Sequence, residues 1–260
     1  MPDGKALQMG TSHFLGQNFS KPFEVKFADK DNVEHFAWQT SWGVSWRLIG
    51  AMIMAHGDDQ GLVLPPKVAP TQVVIVPIYR NDEGKDKVLP KVKEIQDSLE
   101  SQDIRVQVDD REGLSPGYKF NDWEMKGVPI RIEIGPKDIE KQSIVVAKRY
   151  NREKINLEFS EIGKIVSILD EIQKSMLEKA REQAKENTKN ISDYTEFKSK
   201  IEEGGFFNAP WCGKLECEEK IKEDTGADIR VIPFGSEDTN SKCMYCGEKS
   251  ESIPIFARGY

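Results

Sequence analysis

Val73-Val74-Ile75-Val76 is a continuous apolar run of strand length, and it decides how the middle of the chain folds. Such a run predicts a central strand buried on both faces, in a sheet covered by helices. Working outward, Val88, Val92, Ile95 and Leu99 recur at helical spacing and predict an amphipathic helix. Ile104, Val106 and Val108 alternate as a strand, and so do Ile130, Ile132 and Ile134. Ile144-Val145-Val146-Ala147 is a further apolar strand. A long helix begins near Ser160, with Ile162, Ile165, Val166, Leu169, Ile172, Met176, Leu177 and Ala180 at helical spacing. Beyond Glu178 it continues as a charged arm. Strand–helix alternation predicts an α/β domain over residues 70–187.

Upstream, Leu64-Pro65-Pro66-Lys67-Val68-Ala69-Pro70 is a rigid extended connector, since proline continues neither helix nor central strand. Residues 1–69 therefore form a separate region. Phe23–Phe27 and Phe36–Thr40 alternate with period two as strands. A helix is expected from about Ser45 to His56, with Leu48, Ile49, Met52 and Ile53 on one face. Residues 188–260 form a third region. Gly204-Gly205 ends a helix there, and short segments with little apolar material follow, so a staple is expected.

All four cysteines of the chain fall in that third region. Cys212 and Cys217 are separated by four residues, Cys243 and Cys246 by two. Two close pairs of thiolates suit one tetrahedral zinc ion, and a four-ligand site is structural because it leaves no open position. Gly213 and Gly247 sit where tight turns are needed. Four unrelated thiols, or redox chemistry at Cys243-Met244-Tyr245-Cys246, are the alternatives.

The chain has 260 residues, enough for two or three small domains. Hydrophobic content of 38% and charged content of 31% describe a soluble globular protein. No apolar run is long enough to span a membrane, and Met1-Pro2-Asp3-Gly4-Lys5 is not a signal peptide, so the expected location is the cytoplasm. A net charge of −7 excludes whole-surface attraction to nucleic acid. RNA binding would have to come from local groups.

Gln8-Met9-Gly10-Thr11-Ser12-His13-Phe14-Leu15-Gly16-Gln17-Asn18-Phe19 sets many side-chain donors and acceptors between glycines, as a pocket-lining segment or an ordinary loop. In Thr40-Ser41-Trp42-Gly43-Val44-Ser45-Trp46-Arg47 the small residues allow close backbone approach to a ligand. Arg47 at a helix start can meet phosphate oxygens with its planar fork, or be a surface arginine. In order, with His56-Gly57-Asp58-Asp59, Leu64-Pro65-Pro66 and Asp109-Asp110-Arg111, these blocks resemble class II aminoacyl-tRNA synthetases. Specifically, they resemble the C-terminal portion of the prolyl-tRNA synthetases of archaeal and eukaryotic type.

The resemblance implies a multi-domain α/β (α+β) protein. Residues 1–69 would end an antiparallel-sheet catalytic core. Residues 70–187 would be an anticodon-binding domain on a mixed five-stranded sheet, and residues 188–260 a small zinc-binding domain. Arg47 would hold the γ-phosphate of ATP. Gln8 and Thr11 would contact ATP, His13 would line the proline site, and Ser45 would face the amino acid. Arg47 and His13 would thus be the catalytic pair. ATP with Mg²⁺, L-proline and tRNA(Pro) would be the ligands, and the complete enzyme would be a homodimer. Tyr260 would direct its terminal carboxylate towards the active site.

Lys119-Phe120-Asn121-Asp122-Trp123-Glu124-Met125-Lys126-Gly127-Val128-Pro129-Ile130-Arg131 mixes aromatics, charges and glycine. Either Phe120 and Trp123 pack a helix end into the core, or the segment stacks unpaired bases and reads guanine edges. The proline anticodon contains two guanines, and the resemblance nominates Glu124, Arg131 and Phe120 as its readers. Gly135-Pro136-Lys137-Asp138 is expected to be a turn with lysines available for phosphate. A dimerisation motif, a second ATP-binding arginine, and the threonine and glutamate for the proline nitrogen precede Gln8 in the family. The 260 residues alone are therefore expected to lack proline-dependent ATP–pyrophosphate exchange. The alternative is a non-catalytic module that binds the tRNA anticodon. A threonyl-, glycyl- or histidyl-type relative fits less well, given the cysteines and Tyr260.

Overall fold

The computed structural model describes residues 1–238 and 240–260. The chain divides into two compact units: Met1–Ala51 with Asn187–Tyr260, and Met52–Glu186.

The N-terminal stretch holds β1 (Gly10–Gly16), β2 (Lys26–Ala28), β3 (Glu34–Phe36) and β4 (Gln39–Val44). β1 is a strand, where the sequence suggested a pocket segment or a loop. It pairs antiparallel with β4, setting Thr11 opposite Gly43 and His13 opposite Ser41. Its polar side chains hid the strand, because neither face of this ribbon is buried. β2 and β3 form a hairpin offset from the expected strands, closed by Asp29, whose Oδ1 accepts from the Asp31 and Val33 N–H groups at 2.9 Å. Helix α1 (Arg47–His56) starts two residues later than expected. Its anticipated apolar face is largely exposed, with Leu48 and Ile49 both near half accessible and only Ala51 buried.

The second unit is built on β5 (Val73–Pro77), α2 (Asp82–Glu100), β6 (Val106–Val108), α3 (Pro116–Met125), β7 (Ile130–Ile134), α4 (Pro136–Glu140), β8 (Ser143–Lys148), β9 (Lys154–Glu158) and α5 (Lys164–Glu186). The strand order is β6-β5-β7-β8-β9. β5 runs parallel to β6 and β7, and β7, β8 and β9 are antiparallel, so the five-stranded sheet is mixed as expected. All five residues of β5 are buried. Period-two alternation divides them: Val73 and Ile75 pack with α2 and α5, while Val74 and Val76 pack with Trp123 of α3. Ile104 lies just outside β6 yet is buried. Residues 135–140 form a one-turn helix rather than a plain turn, with the Asp138 carboxylate accepting from the Gly135 N–H at 2.8 Å.

The C-terminal segment carries β10 (Thr188–Asn190), α6 (Tyr194–Lys200), β11 (Phe206–Asn208), α7 (Leu215–Thr225), β12 (Ala227–Val231) and β13 (Ile255–Arg258). It is more regular than its composition suggested, with a four-stranded sheet ordered β10-β11-β13-β12. Few apolar residues suffice because three are large and meet. Phe197 sits edge-on to Phe207 at 5.6 Å and to Phe256 at 5.8 Å, all fully buried. The first residues of the chain join this unit. Ala6 bridges Gly259, the Gly205 N–H donates to the Gly4 carbonyl at 2.9 Å, and the Tyr260 hydroxyl donates to Asp3 at 2.6 Å. A Cβ on Gly4 would lie 2.6 Å from the Gly205 nitrogen, so this crossing requires glycine.

Candidate nucleic-acid interface and metal centre

Helix α3 starts on a proline and is capped by Ser115, whose hydroxyl accepts from the Tyr118 N–H at 3.3 Å. Asp109, at the end of β6, holds it down. Its carboxylate is buried and accepts from Arg111 Nε and Nη2 at 2.8 and 2.7 Å and from the Trp123 indole at 2.8 Å. Lys119 Nζ donates to the Asp109 carbonyl at 3.0 Å. The Arg111 guanidinium, aided by the Trp123 N–H, holds the Asp109 carboxyl down at about 2 against the upward push of burial. Asp109-Asp110-Arg111 is thus a latch for α3, a role that spacing alone did not show.

Sheet register aims Arg131 at the same helix. β7 alternates Ile-Arg-Ile-Glu-Ile, and Arg131 pairs with Val74, whose side chain faces α3. The Arg131 guanidinium lies 4.2 Å from the Phe120 ring centroid. Its Nε and Nη2 donate to Glu133 Oε1 at 3.1 and 2.9 Å, and Nη1 lies 3.8 Å from Glu124 Oε1. Lys154 also donates to Glu133, at 2.9 Å. The three residues nominated as anticodon readers therefore meet: Phe120 and Arg131 stack, and Glu124 stands beside them with a third of its side chain exposed. Trp123, by contrast, is core. Phe120 is partly buried and packs against the same cluster, so the core reading covers both aromatics, while Phe120 alone of the two also borders open space.

A further charged group had no sequence signal. The Arg149 side chain is nearly buried and donates to Asp58 Oδ1 and Oδ2 at 2.6 and 2.9 Å, and from Nε to the Glu124 carbonyl at 3.0 Å. It ties the Asp58 turn to the end of α3. The Arg149 guanidinium holds the Asp58 carboxyl far below the usual carboxylate range.

On the β1–β4 ribbon, Thr11 and His13 share a face with Ser41 and Gly43 across the strands. Ser45 donates to the Met9 carbonyl from its N–H at 2.9 Å and from Oγ at 3.2 Å. Arg47 opens α1, and Gln8 precedes β1. Among the described residues, the side chains of Gln8, Thr11, His13 and Arg47 have no hydrogen-bond or ion-pair partner, and all four residues are exposed. The other face presents Phe14, Trp42 and Val44, all more than two-thirds exposed.

The cysteines converge. The Sγ atoms of Cys212, Cys217, Cys243 and Cys246 all lie within 4.8 Å of one another, with Cys212 3.5 Å from Cys217 and 3.6 Å from Cys246. Tetrahedral Zn–S bonds of about 2.3 Å set sulfur–sulfur edges of roughly 3.8 Å, so the cluster fits one such ion. Gly213 and Gly247 adopt φ of 79° and 75°, and the Gly247 N–H donates to the Cys243 carbonyl at 3.0 Å, closing the turn. Burial pushes the Cys212 and Cys217 thiols up. A bound cation would reverse that by favouring thiolate.

Residues 72–169 match the family described as anticodon binding domain, and residues 194–260 match prolyl-tRNA synthetase, C-terminal. The whole chain is similar to a proline–tRNA ligase of Cenarchaeum symbiosum (strain A), 57% identical over 263 residues covering 54% of that protein. A proline–tRNA ligase of Porphyromonas gingivalis (strain ATCC 33277) is 50% identical over 262 residues, 53% of its length. Proline–tRNA ligase 2 of Clostridioides difficile (strain 630) is 48% identical over 262 residues, 54% of its length. The chain thus spans about half the length of the curated relatives it matches. Among the described residues, no helix is long and apolar enough to cross a membrane.

Proposed function

From the premise that this chain resembles the C-terminal portion of the prolyl-tRNA synthetases along its whole length, we propose that it carries the anticodon reader of a proline–tRNA ligase. The stacked Phe120–Arg131 pair with Glu124 beside it, inside the stretch matched as anticodon binding domain, is the observation that carries this reading. Phe120 offers a π-face to an unpaired base, and Glu124 accepts from the N–H groups of a guanine edge. Arg131 stiffens the platform and supplies positive charge.

In the complete enzyme, proline's carboxylate attacks the α-phosphate of ATP and pyrophosphate leaves, giving prolyl-adenylate, whose prolyl group then passes to the terminal ribose hydroxyl of tRNA(Pro) as AMP leaves. The protein positions the reactants and neutralises charge. Arg47 with Gln8 and Thr11 would face ATP and its Mg²⁺, and His13 and Ser45 would face L-proline. That the side chains of Gln8, Thr11, His13 and Arg47 are exposed and unpartnered among the described residues supports a ligand-facing role, whereas Ser45 is half-buried and its hydroxyl is held by the Met9 carbonyl. Residues 1–69, 70–187 and 188–260 are the corresponding catalytic, anticodon and zinc-binding parts of a cytoplasmic homodimer. Cys212, Cys217, Cys243 and Cys246 would hold one structural zinc ion, which supplies cross-linking rather than reaction chemistry.

The test is binding of a tRNA(Pro) anticodon stem-loop to the full chain. Glu124→Ala is expected to weaken it roughly tenfold, and Arg131→Lys, which keeps the charge but loses the planar fork, by a similar factor. Unaltered affinity in both variants would overturn the reading.

A further inference from the structure

An open cleft of about 740 Å³ lies between the turn after α1 and the exposed side of α3. Its walls are fixed to each other. The Leu62 N–H donates to the Met125 carbonyl at 3.0 Å, and Arg149 clamps Asp58. A Cβ on Gly61 would lie 2.6 Å from the Met125 backbone, and one on Gly127 2.6 Å from Leu62, so the approach depends on both glycines. The cleft is therefore a built feature of this unit, not a gap between mobile loops.

Its lining is chemically one-sided. Phe120 and Glu124 border it, so it adjoins the stacked platform, and Asp59, Gln60 and Asn121 face it from the two walls. No lysine or arginine is among its lining residues. Asp58 is neutralised by Arg149 and Arg152. Among the described residues, the side chains of Asp59, Gln60 and Asn121 have no hydrogen-bond or ion-pair partner. Of the other two carboxylates, Asp59 has no cationic partner among the described residues and Glu124 meets only Arg131, at 3.8 Å, so together they disfavour phosphate. They accept hydrogen bonds from a group rich in N–H donors, and the two amides can donate as well as accept. Among the bases, guanine presents two adjacent N–H donor groups and one acceptor on its pairing edge, which this set complements.

We propose that the cleft receives an unpaired guanine of the RNA loop, with Asp59 accepting from its N1–H and N2–H groups and Asn121 and Gln60 completing the edge. This rests on the anticodon reading above and extends it to residues of the Asp58 turn. Asp59 and Asn121 become specificity-determining residues, and the turn becomes part of the RNA site.

The experiment measures binding of the full chain to the anticodon stem-loop, and to the same RNA with each loop guanine replaced in turn by inosine, which lacks the N2 amino group. The native chain should bind one inosine RNA roughly tenfold more weakly than the guanine RNA. Asp59→Asn and Asn121→Ala should each weaken binding of the guanine RNA by a similar factor, and in Asp59→Asn the inosine penalty at that position should fall to near onefold. Removing a negative charge from the chain strengthens non-specific RNA attraction, so a loss in Asp59→Asn cannot be an electrostatic side effect. Both positions are exposed, and unchanged thermal unfolding midpoints should verify that the variants fold. Unchanged inosine penalties, with Glu124→Ala still weakening binding, would overturn the cleft proposal and leave the anticodon reading standing. Failure of the native chain to bind the stem-loop at all would overturn both.

Discussion

Asp109 shows how much a single buried carboxylate decides here. It accepts from the Trp123 indole and from two Arg111 nitrogens, and its own carbonyl accepts from buried Lys119. Removing its carboxylate strands a buried indole N–H and takes the counter-charge from the buried Lys119 ammonium, 3.8 Å from Oδ1, so Asp109→Ala should cost about 3–5 kcal/mol, checked by urea unfolding. The pH dependence follows from the direction of the shift. The folded pKa, about 2, lies below the ordinary value of 3.8. The stabilisation is therefore complete above about pH 4, declines as pH falls through that window, and is gone below about 2. The difference corresponds to about 2 kcal/mol. Asp109→Asn should flatten this part of the acid-unfolding profile, and an unchanged slope between pH 4 and 2 would contradict the latch. Nothing in Asp109-Asp110-Arg111 alone separates this structural role from a binding one. The partner, Trp123, is fourteen residues away and meets Asp109 only because β6 and α3 are adjacent in space.

At the scale of elements, legibility tracked burial. β5, β7 and α2 are legible because a buried face imposes a period on the sequence, and Val88, Val92, Ile95 and Leu99 leave little room for another reading. β1 is illegible for the opposite reason, since an exposed ribbon imposes none. The α1 stripe had helical spacing but its face is not covered, so periodicity gave the helix and not its packing. Arg131 and Glu124 were named through resemblance. What places them together is the β7 register, which a sequence shows only once the sheet order is known. The cysteine pairs were legible because four thiolates have few ways to be satisfied. One equivalent of Zn²⁺ or Co²⁺ should bind per chain, the cobalt form showing tetrahedral thiolate absorption, and Cys243→Ser should abolish that spectrum. Chelation should loosen residues 188–260 first, seen as faster amide exchange in α7 and β12 than in β5. The Phe14–Trp42–Val44 face predicts a second behaviour. This much exposed aromatic surface binds hydrophobic dyes and promotes association, so Trp42→Ser should lower dye fluorescence without lowering the unfolding midpoint.

The molecule as a whole carries a net charge of −7, and the cleft beside the proposed reader is lined by carboxylates and amides. Neither draws a polyanion by long-range field, so affinity for RNA has to come from stacking and edge recognition, with few phosphates engaged. Salt dependence measures that division directly. Each neutralised phosphate of a single-stranded loop contributes about −0.7 to the slope of log K against log salt. A reader that rests on Phe120, Glu124 and Arg131 should therefore show a shallow slope, no steeper than about −3, where a charge-driven binder of similar affinity would be far steeper. The same measurement sorts individual residues. Lys137 is exposed on α4 and has no ion-pair partner among the described residues. If it contacts the backbone, Lys137→Ala should make the slope shallower by about 0.7 and leave the preference for guanine unchanged. Glu124→Ala should do the reverse, relaxing the preference while the slope stays within error. A steep slope in the native chain, with Glu124→Ala indifferent to loop sequence, would mean that the negatively charged surface conceals a basic track and that the stacked pair on α3 and β7 serves the fold instead.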